Sequence, residues 1–167
     1  MEGGTLLAID LGLWTGLAVF GPDGRCRRYR STHFPNAAAI KKSVSRILAE
    51  AGEGGRCVAL VCEGDRELAD IWTRAGTRRG IVCEWTSAEV WREALLWPHE
   101  RRDGEQAKDT ADRRAREVIA WSGGKKPISL RHDAAEAILI GLWGCIRLGW
   151  LDVPPWPAPG LHSRGAR

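Results

Sequence analysis

Apolar residues along this chain follow two rhythms. The first is continuous: Thr5-Leu6-Leu7-Ala8-Ile9 runs unbroken to Asp10, and beyond Gly12 and Gly16 the chain returns as Leu17-Ala18-Val19-Phe20. A short apolar run bounded by glycine reads as a strand buried on both faces, and its return as a hairpin. Gly21-Pro22-Asp23-Gly24 is a dense turn signal, so Arg25-Cys26-Arg27-Arg28-Tyr29-Arg30 reads as a third, exposed strand. Cys57 to Cys62 repeats the continuous pattern, closes on Glu63 and is followed by Gly64; Ile81-Val82-Cys83 makes a short fifth strand.

The second rhythm is helical. Ile40, Val44, Ile47, Leu48 and Ala51 mark a helix from Ala37 to Ala51, ended by Gly52. Glu67 to Thr77 is helical, and Thr86 with Glu89 has capping-box spacing ahead of a helix carrying Val90, Trp91, Ala94 and Leu95 on one side. Trp97 to Gly104 is polar and predicts a mobile loop. A helix from Glu105 to Trp121 offers Asp109–Arg113 and Asp112–Arg116 as i,i+4 pairs, and Gly123 to Pro127 is a basic turn. The last helix, Asp133 to Arg147, carries Ile138, Leu139, Leu142, Trp143 and Ile146 as an apolar stripe. A right-handed crossover sets the Cys57–Cys62 strand parallel to the first. The predicted architecture is therefore α/β: a five-stranded mixed sheet, three antiparallel strands followed by two parallel ones, flanked by helices. Residues 1–149 form this one domain, and the proline-rich stretch 150–167 is expected to be a flexible basic tail.

Composition narrows the setting. A chain of 167 residues can bury about two thirds of its unfolded surface without staples. Five cysteines with no C-x-x-C pair point to a reducing compartment and no zinc. The N-terminal apolar run is too short for a membrane span or signal, so a cytoplasmic location is expected, with nucleoid association or a viral origin open. A net charge of +4, carried mostly by arginine, favours phosphate-bearing partners. The arginines of 25–30 either keep an edge strand from pairing with other sheets or contact phosphate.

Candidate chemistry lies in the acids. Asp10 stands where an apolar strand ends, so it either caps a turn or awaits a cation or donor. Glu63 ends the parallel neighbour, and the crossover brings both to the same end of the sheet. Asp133 and Glu136 are three residues apart on one face of the last helix. Acids in a first turn are ordinarily explained by the helix dipole. Ala134 and Ala135 between them let the helix lie close to the sheet, so all four carboxylates can converge on one rim. Like charges at that separation call for divalent cations, and hard oxygen donors suit magnesium or manganese. Two such ions about 4 Å apart would orient water and stabilise the leaving oxygen of a phosphodiester displacement.

Ile9-Asp10-Leu11-Gly12, Val61-Cys62-Glu63 and His132-Asp133-Ala134-Ala135-Glu136-Ala137, in this order, resemble the RuvC-type Holliday-junction resolvases of the ribonuclease-H-like nuclease superfamily. The resemblance covers the chain to about Gly149. It implies an endodeoxyribonuclease that resolves four-way DNA junctions as a homodimer, with Asp10, Glu63, Asp133 and Glu136 holding two Mg2+ ions for which Mn2+ substitutes. It also implies a functional lysine, nearest matched by Lys108. Departures are Glu136 where aspartate is commoner, His132 as an auxiliary ligand or base, and Arg66 in place of the aromatic that opens the junction in bacterial relatives. Trp14 or Trp72 are the substitutes considered, and Arg78 and Arg79 join Arg66 and Lys108 as DNA contacts. Other readings are an RNA-processing nuclease or a non-catalytic branched-DNA binder on the same fold; an actin-like ATPase would need a second lobe.

Overall fold

The computed structural model describes residues 3–52 and 54–159. In chain order it comprises β1 (Gly4–Asp10), β2 (Trp14–Phe20), β3 (Cys26–His33), α1 (Ala37–Ala51), β4 (Arg56–Glu63), α2 (Arg66–Thr77), β5 (Val82–Thr86), α3 (Ala88–Leu95), a 3-10 turn (Pro98–Glu100), α4 (Gly104–Trp121) and α5 (His132–Arg147). The strands lie in the order β3-β2-β1-β4-β5. β1–β2 and β2–β3 are antiparallel, and β1–β4 and β4–β5 are parallel. This is the predicted mixed sheet.

The continuous apolar runs are explained by two cores, one on each face. Because side chains alternate along a strand, Leu6, Ala8, Ala18, Phe20, Ala59 and Val61 pack beneath α3, α4 and α5. Leu7, Ile9, Leu17, Val19, Leu60 and Cys62 pack beneath α1 and α2. Helix α5 is buried on every side from Asp133 to Cys145, so the single stripe expected of it is instead a full wrap.

Several local expectations are corrected. β3 continues to His33, and β5 starts at Val82 and runs to Thr86, past the predicted Ile81–Cys83. Thr86 is consequently a buried strand end paired with Glu63, and the cap of α3 is Ser87, whose Oγ accepts from Val90 N at 3.4 Å. Arg116 pairs with Asp112 at 2.9 Å as expected, whereas Arg113 turns from Asp109 to Glu100 and Glu117. The stretch from Trp97 to Gly104, expected to be a mobile loop, contains the 3-10 turn and is tied down by Glu100, which accepts from Trp97 N, Arg113 and Arg114. Residues 150–159 are not a free tail: Trp156 is buried and donates Nε1 to Leu95 O at 2.9 Å, while Trp97 Nε1 donates to Pro157 O at 3.0 Å. Residues 160–167 lie outside those described. All five cysteines are free thiols. Among the described residues no helix is long and apolar enough to cross a membrane.

Candidate active site

Asp10 and Glu63 are the last residues of adjacent parallel strands and are register partners. Leu11 N donates to Glu63 O at 2.9 Å, extending the pairing one step beyond the carboxylates. Gly64, at φ +117°, then turns the chain sharply into α2, a conformation only glycine adopts readily. On the other flank, Asp10 is paired across the hairpin with Gly16, and a Cβ at Gly16 would overlap the Asp133 carbonyl. The missing side chain therefore lets the first turn of α5 come down onto the strand ends, and Asp133 and Glu136 come with it.

One carboxylate oxygen from each of Asp10, Glu63 and Glu136 lies within 4.8 Å of the others. Asp133 is outside that group but beside it, buried, with its oxygens accepting from Ser31 Oγ and from Arg131 Nε at 3.3 Å. Arg131 Nε also donates to Ser31 Oγ at 3.2 Å, so an alcohol from β3 and the arginine ahead of α5 together fix this acid. Glu136 Oε1 accepts from Arg92 Nη2, and His132 Nε2 stands 3.4 Å from it.

The charge balance is unfavourable. Burial, followed by repulsion from Glu136, Glu63 and Asp133, pushes the Asp10 carboxyl up to about 9. Burial and Glu136 also raise Glu63, against the opposing influence of its hydrogen bond with Asp10 and of Arg92. Asp10 thus keeps a proton and donates it to Glu63. An all-oxygen donor set, withdrawn from water and underprovided with positive charge, fits a hard divalent cation such as Mg2+ or Mn2+ far better than zinc.

The remaining sequence candidates scatter. Trp14 is 48 % exposed on the rim. It is stacked with His33 at 4.7 Å between ring centroids and carries the Arg131 guanidinium 3.7 Å above its ring. Arg66 lies 4.0 Å over Trp85, whose Nε1 donates to Gly64 O at 3.0 Å, also beside the rim. Lys108 is exposed on α4. Arg78 and Arg79 sit after α2 and before β5, at the end of the sheet away from the acids, and Arg79 donates to Ala75 O at 3.0 Å. Trp72 is fully buried in the α2 core and so cannot reach a substrate. Of the edge arginines, Arg27 pairs with Asp23 and Arg30 with Glu50, and Arg25 lies over Trp121. Ser31, Arg92 and Arg131 were not singled out from the sequence. Arg131 could have been, as the arginine directly preceding His132-Asp133; the other two act across 44 and 102 positions, where spacing gives no signal.

The sheet order, the helix across its first strands and the acids at its rim define a ribonuclease-H-like fold. Within that class the fold is RuvC-type. Thermus thermophilus RuvC superposes with a TM-score of 0.62 at 18 % identity, over 86 % of this chain and 94 % of that one. The same protein in complex with a Holliday-junction substrate gives 0.59, again at 18 %, over 87 % and 96 %. No protein-family model matches the sequence, and no curated protein matches it.

Proposed function

We propose that this protein is a divalent-metal-dependent endodeoxyribonuclease that resolves four-way DNA junctions as a homodimer. The observation that carries the reading is the meeting of Asp10, Glu63 and Glu136 within 4.8 Å on a RuvC-type sheet. Asp10, Glu63 and Glu136 would hold the cations, with Asp133 as a fourth donor from its place beside them. Two bound Mg2+ ions would supply an activated water and neutralise charge on the phosphate and the leaving oxygen.

The chain's own groups have separable tasks. β1 and β4 fix two acids on a rigid sheet, and the close approach at Gly16 fixes the other two relative to them. Ser31 and Arg131 hold Asp133 in one rotamer. Trp14 and Arg66, exposed on either side of the acids, offer an aromatic face and a guanidinium to the nucleic acid. Lys108 is the next basic contact toward α4. Arg78 and Arg79, at the far end, would act only through a long arm of the junction. Phosphate contacts of this kind make affinity fall with salt. A two-fold symmetric substrate suits a two-fold dimer with one site per cut strand.

The test is cleavage of a synthetic immobile four-way junction, with duplex DNA, RNA–DNA hybrid and duplex RNA as competitors. Junction cutting that requires Mg2+ or Mn2+ and resists competition is expected. Preferred cutting of hybrid or duplex RNA would transfer the same site to RNA processing, and junction binding without cutting at any metal concentration would leave only a binder.

A further inference from the structure

We propose that Arg92 is an internal counter-cation of the acidic cluster, seated on Glu136 until an arriving divalent cation displaces it, so that this arginine sets the cation affinity of the site. The inference rests on the metal-site reading above.

The ion pair is withdrawn from solvent: the side chains of Arg92 and Glu136 are 23 % and 7 % exposed. Glu136 is one of the three clustered carboxylates, so the carboxylate that Arg92 holds is one that an arriving cation would also use. Two positive groups sharing that carboxylate at close range would repel strongly in a poorly screened pocket. The present seat also leaves Arg92 Nε buried without an acceptor.

A second seat is built next door. A cavity of about 330 Å³ is lined by Arg92 together with Glu89, Asp103, Arg101, Gly104 and Ala107. Glu89 lies three residues before Arg92 on α3, a spacing at which side chains meet on a helix surface. Asp103, whose carboxylate caps α4 by accepting from Gln106 N at 2.8 Å, lines the same space. A guanidinium released from Glu136 therefore finds carboxylates without leaving its own helix turn, and Arg101 is the one cation it must share them with.

The proposal is tested by Mn2+ binding to the protein alone, without DNA, counting free ion by electron paramagnetic resonance. Arg92→Met, which keeps the stem and removes the charge, is expected to bind Mn2+ roughly tenfold more tightly than wild type. Glu89→Gln, which removes the second seat, is expected to weaken binding about threefold, and it keeps the idea open to refutation if Arg92→Met does not fold. Equal or weaker binding by Arg92→Met, or no change in Glu89→Gln, overturns the inference while leaving the metal site intact. Absence of binding by wild type and both variants would instead remove the metal-site reading itself.

Discussion

Glu100, beneath the start of α4, and Asp10, at the end of β1, are both withdrawn from water, and they have opposite surroundings. Glu100 Oε1 accepts from Arg114 at 2.8 Å and Arg113 at 3.0 Å, and Oε2 accepts from Trp97 N at 2.9 Å. Burial alone would raise its pKa, but the Trp97 N–H and the two arginines overcome burial and hold it below the ordinary range. Asp10 meets three other carboxylates and is raised instead. One acid is matched for stability, whereas the other is left unmatched among its own kind. An unmatched buried acid costs stability unless something outside the chain completes its surroundings, which is the physical ground for the metal site proposed at the rim.

The largest expected effect breaks the unmatched member. Asp10→Asn should lower junction cleavage by about 10³-fold or more, since it removes a ligand and a charge at the reacting phosphate. The same change should leave junction binding in place and, near and above pH 9 where the native acid would ionise among three other carboxylates, raise the melting temperature of the metal-free protein by about 2–6 °C. Near wild-type cleavage by this variant would falsify the assignment of Asp10. Loss of stability in chelator would show that its surroundings are matched after all.

The next change breaks the matched member. Glu100→Gln takes from Arg114, only 12 % exposed, and from Arg113 the more buried of the two carboxylates they share, leaving them Glu117. Removing one side of a buried ion pair is destabilising, and with Glu117 still holding both arginines and Arg113 half in water about 2 kcal/mol is expected from urea midpoints. Cleavage per folded molecule should stay within about twofold of wild type. A loss below 1 kcal/mol would place Glu100 with ordinary surface acids.

The sequence disclosed the rim acids more readily than Glu100, for a physical reason. Asp10 and Glu63 each end an apolar strand before a glycine, and Asp133 and Glu136 open a helix, so local pattern located all four. The α1 bounds, Ala37–Ala51, were equally local, set by apolar spacing and Gly52. Glu100 is matched by residues 13 and 14 positions on, on another element, and its stretch looked like an unconstrained loop. Ser31 and Arg92 share that difficulty, as tertiary contacts leave no period in the chain. Thr86 was misassigned as a cap because two alcohols precede α3 and only strand pairing with Glu63 decides that Ser87 does the capping. The stretch 150–159 reads as a free tail because prolines break any period, yet Trp156 has its own burial site under α3.

The sharpest comparison comes from pH. In metal-free protein Asp10 keeps toward pH 9 a proton that the unfolded chain releases above about pH 4, and Glu63 is shifted in the same direction by burial and Glu136. Stability must therefore fall as pH rises from there toward 9, by at most about 1.4 kcal/mol per pH unit for each proton retained. Glu100 acts with the other sign: its lowered pKa contributes stability above the unfolded value, which is lost as pH falls through the folded one. Urea midpoints in chelator should thus peak near pH 4–5, with the alkaline limb belonging to the rim and the acid limb to the α4 anchor. Saturating Mg2+ should flatten the alkaline limb alone, because the cation binds the ionised acids and replaces the proton. Asp10→Asn should make that limb shallower in chelator, and Glu100→Gln should weaken the acid limb while leaving the alkaline one. An alkaline limb indifferent to both Mg2+ and Asp10→Asn would mean that the rim acids are balanced within the chain, and the contrast with Glu100 would disappear.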